Sequence, residues 1–227
     1  MKVGLFVNTQ FPQGFDLAAR VPEMIAQVRA AREAGFASLW FPHHWLTQPM
    51  QMLQITPVMG MVAAHAEGMT IGPNILILPP LNPVHVAEEA ATLDVLTGGR
   101  YILGLGLGYR EPEFEAFGVP LSERAPRFNE AIGLMRRLWT EDRVTHQGRF
   151  YRVTDAGIGA RPVRAGGPPA PAEIRASRNR RSTPQSPNKQ GRPQAPPRRP
   201  PADRSPARGC RRSIRKAASR GRPTPRH

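Results

Sequence analysis

Apolar residues along the first 164 positions fall into short runs separated by longer amphipathic stretches. The runs at 3–7, 38–41, 70–78 and 101–107 are apolar on both faces and predict four buried strands. The stretches at roughly 17–34, 56–66, after Asn82 and after Ser122 repeat apolar residues at helical spacing and predict helices. This alternation predicts an α/β fold with a parallel sheet covered by helices, and a doubly wound sheet fits the pattern as well as a barrel does.

Local signals support these boundaries. Asp16 and Asn82 are residue types that cap helix N-termini, and Pro83 suits a first helical position. The segment 145–153 predicts a small hairpin that turns at Gln147-Gly148. No GxGxxG motif follows the first strand, which argues against a dinucleotide-binding unit.

Composition divides the chain into two parts, 1–164 and 165–227. The net charge of the whole chain is +15, and residues 165–227 hold 15 Arg and 2 Lys against Glu173 and Asp203, so residues 1–164 are neutral overall. The second part also holds 13 of the 26 prolines, and Ile174 and Ile214 are its only large aliphatic residues. Such a segment cannot bury enough apolar area to offset chain entropy, and we predict a disordered tail.

The tail suggests nucleic-acid binding only weakly. Clustered arginine attracts phosphate, but the tail has no aromatic residue on which a base could stack, so no specific nucleic-acid partner is expected. The single cysteine, Cys210, excludes an internal disulfide framework. No apolar run reaches the ~18 residues of a membrane span, and a cytoplasmic location is expected.

Three segments carry more specific motifs: GFASLWFPHHW (35–45), NILILPPLNPVHVAEEAATLDVLTGGRYILGLGLGYREPEFEAFG (74–118) and SERAPRFNEAIGLMRRLW (122–139). In these segments the chain resembles the bacterial luciferase-like family of flavin-dependent oxidoreductases. The resemblance implies a TIM (β/α)8 barrel that binds flavin at the carboxyl ends of its strands. It also implies that residues 1–164 form only about four βα units of that barrel, because a complete one has roughly 250 residues.

A partial barrel has consequences of its own. After Gly166-Gly167 the sequence turns to arginine and proline where the family continues into an apolar strand, which suggests a reading-frame shift near Pro169. Four of eight strands leave open edges at the first and fourth strands, so self-association through these edges is expected. An inactive truncated fragment is therefore an alternative to an active enzyme.

His44 is the leading catalytic candidate. It follows the second predicted strand, where barrel enzymes place functional groups, and resembles the family histidine beside the reactive edge of the flavin ring. A histidine donates or accepts protons near neutral pH. His43 stands where the family usually has an acidic residue, and we include it as a second catalytic candidate.

Cofactor contacts are expected in the third and fourth predicted strands. Period-two alternation places Gly104, Gly106 and Gly108 on one face, which either opens room for a flat ring or permits tight internal packing. Asn74-Ile75 matches the place where family members have a non-proline cis peptide under the flavin. Such a bond persists only where its surroundings enforce it, so we do not expect it in half a barrel.

The loop after the fourth predicted strand contains Tyr109 and Glu113, which are candidates to line the substrate entrance. No histidine spacing indicates a metal site. The resemblance implies a monooxygenase that uses FMN, reduced by a partner flavin reductase, and oxygen on a small organic substrate. The alternative within the family is hydride transfer with a deazaflavin coenzyme.

Overall fold

Parallel strand pairing organises residues 2–170, the part of the chain that the computed structural model describes. The predicted disorder of residues 171–227 lies outside the described residues. The strands are β1 (Gly4–Phe6), β2 (Gln10–Phe11), β3 (Ser38–Phe41), β4 (Gln51–Met52), β5 (Thr70–Pro73), β6 (Leu76–Ile77), β7 (Leu105–Gly106), β8 (Val144–Gln147) and β9 (Arg152–Ala156). The helices are α1 (Leu17–Glu33), α2 (Ile55–Ala63), α3 (Pro83–Leu96), α4 (Glu111–Ala116) and α5 (Arg124–Thr140), with a 3-10 turn at Leu121–Glu123.

The strand order decides between the two predicted architectures. β1, β3 and β5 pair in parallel in the order of the sequence, and a bridge from Ile71 to Tyr101 continues the same parallel wall into the fourth predicted strand. A doubly wound sheet reverses its strand order, whereas a barrel adds each strand beside the previous one. The described residues therefore form the wall of a partial α/β barrel.

The outward side of this wall forms the hydrophobic core. Leu39, Phe41 and Ile71 are almost fully buried under the helices. Trp139 of α5 donates its indole N–H to the carbonyl of Ala87 in α3, at 3.1 Å, which locks the two helices together. Asp16 and Asn82 cap α1 and α3 as predicted, and α1 ends one residue before its predicted boundary.

Two predicted strands differ from the structure. The third is interrupted between β5 and β6, and the fourth is regular only at β7. Here the amides of Leu76 and Leu78 donate to the carbonyls of Gly104 and Gly106, so the third strand bends toward the glycine-rich segment. Close approach of two backbones, rather than regular pairing along the whole run, explains the difference.

β1 is also less buried than the sequence predicted. Within residues 2–170 it is the outer strand of its sheet, with β3 on one side only. Phe6 is 53% exposed on the face that it shares with Trp40, and Val3, just before the strand, is 45% exposed. The apolar composition of the strand thus correctly predicted its place in the barrel wall, but it did not predict its partial exposure.

The ordered structure continues beyond the predicted domain boundary at residue 164. Gly167 and Pro168 are buried, Gly167 lies against the ring of Trp139, and the amide of Leu103 donates to the carbonyl of Pro169. Residues 165–170 therefore pack beside the fourth strand. Among the described helices, none is both long and apolar enough to cross a membrane.

Candidate active site

A cavity of about 340 Å³ lies at the carboxyl ends of the parallel strands. Its wall comes from the residues that follow β3, the bend between β5 and β6, and the end of β7. Those residues are Pro42, His43, His44, Asn74, Ile75, Ile77, Gly106, Leu107, Gly108 and Tyr109. The volume and the mainly apolar wall with a few polar groups are typical of small-molecule sites.

His44 is fixed by a buried carboxylate. Its Nδ1 lies 2.9 Å from Oε1 of Glu113, whose side chain is 0% exposed, whereas the His44 side chain is 30% exposed. Oε1 also accepts the backbone N–H of Trp45 at 2.9 Å and a guanidinium N–H of Arg110 at 3.0 Å. An ionised carboxylate only accepts hydrogen bonds, so Nδ1 of His44 carries a proton. In the neutral ring Nε2 is then the basic atom, and no described residue bonds to it.

The position of Glu113 corrects the sequence analysis. We predicted a loop residue at the substrate entrance, but Glu113 lies in α4 and behind His44, outside the cavity wall. Pro112 near the start of the helix and the buried Phe114 beside it were the available signals for a short helix. Oε2 of Glu113 is buried without a hydrogen-bond partner among the described residues. Tyr109 does line the cavity and is 72% exposed at its rim.

His43 differs from His44 in both burial and bonding. It is 6% exposed, and its Nδ1 accepts the backbone N–H of Ile77 at 3.1 Å. Burial lowers the pKa of His43 from 6.5 to about 4, and His44 adds to this effect while Glu113 and Gln54 oppose it. The ring is therefore neutral at physiological pH, with its proton on Nε2.

The three glycines of the LGLGLG segment pack against the third strand. A Cβ on Gly104 would meet the carbonyl of Pro73, one on Gly106 would meet Ile75, and one on Gly108 would meet Ile77 and Phe114. Gly106 and Gly108 also line the cavity, whereas Gly104 does not. Tight packing thus accounts for Gly104, and the other two glycines serve both packing and cavity shape.

The peptide bond between Asn74 and Ile75 is cis, contrary to our expectation for half a barrel. The groups that surround it come from the described strands: the amide of Asn74 donates to the carbonyl of Phe41, and that of Leu76 donates to Gly104. These partners all lie within residues 41–104, so the described part of the wall supplies them. Both residues line the cavity at the predicted position.

The cavity suits the ring of a flavin better than its phosphate. Its wall contains no lysine or arginine that could pair with a phosphate. The side chains of Ile75 and Ile77 pack over Gly106 and Gly108, which makes this part of the wall apolar. Among the described residues no cluster of His, Cys, Asp or Glu has the geometry of a metal site.

Family comparison agrees with this geometry. The model of the luciferase-like monooxygenase family matches residues 1–180. The chain belongs to this family. Its members are oxidoreductases, as the sequence analysis predicted, and the partial barrel is the luciferase-like one.

The chain is similar to relatives that are named for different cofactors and to solved structures of the same fold. The chain is 37% identical over 163 residues to an F420-dependent glucose-6-phosphate dehydrogenase of Intrasporangium calvum, covering 64% of this chain and 48% of that enzyme. The monooxygenase RslO1 of Streptomyces bottropensis matches with a TM-score of 0.67 and 24% identity, over 75% of this chain and 52% of that one. The oxygenating component of 3,6-diketocamphane monooxygenase of Pseudomonas putida, in complex with FMN, matches with a TM-score of 0.60 and 19% identity, over 75% and 50%.

The chain spans about half the length of the curated relatives that it matches. Both cofactors predicted from the sequence, FMN and a deazaflavin, occur among the relatives, because F420 is a deazaflavin.

Proposed function

We propose that the cavity beside His44 binds the ring of a flavin-type cofactor, and that the enzyme to which this half-barrel belongs transfers electrons between that ring and a small organic substrate. The observation that carries the proposal is His44 itself. Its Nδ1 is held by Glu113, while its Nε2 has no partner among the described residues and the ring forms part of the cavity wall.

Different residues of the cavity would contact different parts of the bound ring and substrate. Asn74 and Ile75 form one part of the cavity wall and Gly106 and Gly108 the adjoining part, so residues from both strands would contact a bound ring. Tyr109 at the exposed rim is placed to meet a substrate. When bound, the ring supplies the redox chemistry, by hydride transfer for a deazaflavin or by reaction of the reduced form with oxygen for FMN. His44 then gives or takes the accompanying proton at Nε2.

Hydride transfer with a deazaflavin is the form that we favour. The supporting observation is the 37% identity over 163 residues to an F420-dependent glucose-6-phosphate dehydrogenase. The second candidate is the monooxygenase reaction expected from the sequence, with a partner flavin reductase, and the description of the family supports it. Oxygen separates the two, because only the monooxygenase reaction consumes it.

The first experiment measures cofactor binding, because a partial barrel can be tested for binding without assuming that it turns over a substrate. The purified full chain is titrated with F420 and with FMN, and the visible difference spectrum of each is recorded. Gly106→Ala should weaken ring binding about tenfold, because a methyl group there overlaps Ile75. Gly133→Ala in α5 is the matched control, because a Cβ there meets nothing within 4 Å.

The outcomes differ clearly. Saturable binding that Gly106→Ala weakens and Gly133→Ala leaves alone supports the ring site, whereas no spectral change with either cofactor contradicts it. Anaerobic substrate oxidation with F420 favours hydride transfer, and oxygen consumption with FMN and a reductase favours the monooxygenase. Binding without turnover favours the inactive fragment.

We also propose self-association through β1. Carbonyl and amide groups of Val3 and Val7 are bonded to the segment that contains β3, so the alternation of a parallel strand turns the backbone groups of Gly4 and Phe6 to the open edge. Such an edge pairs readily with another strand. The fourth strand is a poorer edge, because Pro169 already lies beside Leu103.

A further inference from the structure

A side chain completes the hydrogen bonding of the cavity wall where the backbone cannot. The amides of Leu76 and Leu78 donate toward β7, so the intervening amide of Ile77 faces the opposite side, toward β3. The last carbonyl of β3, that of Phe41, already accepts the amide of Asn74. Nδ1 of His43 takes the place of the next carbonyl and accepts from Ile77 at 3.1 Å.

This bond fixes the tautomer of His43. An amide nitrogen can only donate, so Nδ1 must be unprotonated and the proton of the neutral ring lies on Nε2. In this tautomer Nδ1 is the only basic nitrogen of the ring, and Ile77 occupies it. His43 cannot accept a proton without losing the Ile77 amide, which would then be buried without a partner.

His43 also separates two cavities. Its ring forms part of the wall of the 340 Å³ cavity and part of a second cavity of about 170 Å³, which is lined by Gln54, Thr56, His85 and Glu89 among others. The edge of the ring stands against Trp45, with centroids 4.1 Å apart. His43 thus has two roles: its hydrogen bond from the Ile77 amide, here called the clamp, and its ring between the two cavities, here called the partition. Different substitutions remove each of them.

We propose that His43 is a positioning residue of the ring site: through the Ile77 amide it holds the segment from Asn74 to Ile77 as a fixed wall against the cofactor ring, and His44 alone handles protons. The clamp follows from the geometry. Its importance for the cofactor rests on the proposed function. This replaces the catalytic role that the sequence analysis assigned to His43.

The clamp is tested first in the full chain without cofactor. With ¹⁵N-labelled protein at neutral pH, a scalar coupling across the hydrogen bond is expected between the amide nitrogen of Ile77 and Nδ1 of His43. The histidine spectrum should show His43 as the Nε2–H tautomer and His44 as the Nδ1–H tautomer. His65→Asn, which alters a histidine outside both cavity walls, helps to assign the signals. A proton on Nδ1 of His43, or no coupling to Ile77, would overturn the proposal.

Two substitutions then separate the clamp from the partition. Asn places an oxygen at the position of Nδ1, so His43→Asn keeps the acceptor but leaves the partition thinner. His43→Phe keeps an aromatic partition but removes the acceptor. We expect His43→Phe to weaken cofactor binding about tenfold and His43→Asn to stay within about threefold of the parent chain. The reverse order, equal losses in both variants, or no loss in either would each overturn the proposal.

Amide exchange tests the clamp without any cofactor, so failure of the clamp and failure of the proposed function can be distinguished. If the parent chain binds neither F420 nor FMN, the proposed function fails, and the exchange rate of the Ile77 amide decides on the clamp. Faster exchange in His43→Phe but not in His43→Asn supports it, and unchanged exchange in both contradicts it. If His43→Phe does not fold, the Ile77–His43 coupling and the His43 tautomer in the parent chain still decide whether the clamp exists.

Discussion

The imidazole of His44 and the carboxylate of Glu113, 69 residues apart in the sequence, meet at 2.9 Å between Nδ1 and Oε1. One residue follows β3 and the other lies in α4, so the contact ties the segment after the second strand of the wall to the helix after the fourth. Arg110 strengthens this tie, because its guanidinium donates both to Glu113 and to the carbonyl of Trp45 at 2.8 Å. The orientation of the proposed proton-transfer group therefore depends on a residue that the cavity does not expose.

Removing this carboxylate should destabilise the fold and release the His44 ring. Glu113→Ala leaves Trp45, His44 and Arg110 without their shared acceptor, and we expect a loss of roughly 3 kcal/mol in the free energy of unfolding. Glu113→Gln keeps one acceptor oxygen and should lose about half as much. Urea denaturation measures both, and histidine NMR should show the Nε2–H tautomer of His44 appearing in Glu113→Ala. An unchanged tautomer would mean that Glu113 does not position His44.

Burial of His43 predicts a particular dependence of stability on pH. Its pKa is about 4 in the folded chain and ordinarily 6.5, so between these values the unfolded chain binds the extra proton. The free energy of unfolding should therefore fall as the pH falls through this window. We expect roughly 2 kcal/mol of this loss between about pH 7.5 and pH 5 to be absent in His43→Asn. Equal pH dependence in the two chains, measured by urea denaturation, would contradict the assignment.

The sequence predicted most of what periodicity and capping determine. Apolar repeats predicted the long helices and the parallel wall, and Asp16 and Asn82 predicted the N-termini of α1 and α3. Motif resemblance led to His44, Asn74 and Ile75, which line one cavity. The spacing of Gly104, Gly106 and Gly108 allowed either tight packing or contact with a ring. Only the position of the third strand shows which of them are packed.

The contacts that hold the site could not be predicted in the same way. Glu113 is a single carboxylate in a segment rich in acidic residues, and nothing in its neighbourhood distinguishes it from Glu111 or Glu115, which are exposed. Its role arises because α4 brings it under a residue from a distant loop. Likewise, the acceptor role of His43 follows from the place where β3 ends and the third strand bends. Tertiary geometry of this kind leaves no periodic signal.

Self-association through β1 predicts an effect of charge at its exposed face. Phe6→Lys places a cation on the open edge, where pairing with another strand would bury it, so the variant should shift the chain toward the monomer. Phe15→Lys is the matched control, because Phe15 is 47% exposed but lies outside any strand. Light scattering after size-exclusion chromatography over a range of concentrations measures the change. A monomeric parent chain, or an equal effect of both substitutions, would contradict this interface.

Glu130 predicts a second acid-sensitive contact, which joins the β8–β9 hairpin to α5. Its Oε1 lies 3.2 Å from Nε2 of His146 and accepts the amides of Phe150 and Tyr151 at 3.2 and 3.0 Å. Burial alone would raise the pKa of this carboxyl, but the hydrogen bonds from these three residues outweigh it and leave the pKa below its ordinary 4.5. The contact therefore stabilises the fold above about pH 4.5 and is lost as the pH falls from there through the lowered value.

This window begins near the acid end of the His43 window, so the two groups are separable above about pH 5, where only His43 contributes. Relative to the intrinsic rate at each pH, amide exchange at Phe150 and Tyr151 should accelerate on acidification below about pH 4.5 in the parent chain, while relative exchange in β3 changes less. In Glu130→Gln the neutral amide keeps one acceptor oxygen, so exchange at these two amides should be somewhat faster at neutral pH and should lose its acid dependence. If acid accelerates exchange in Glu130→Gln as much as in the parent chain, another group controls the hairpin.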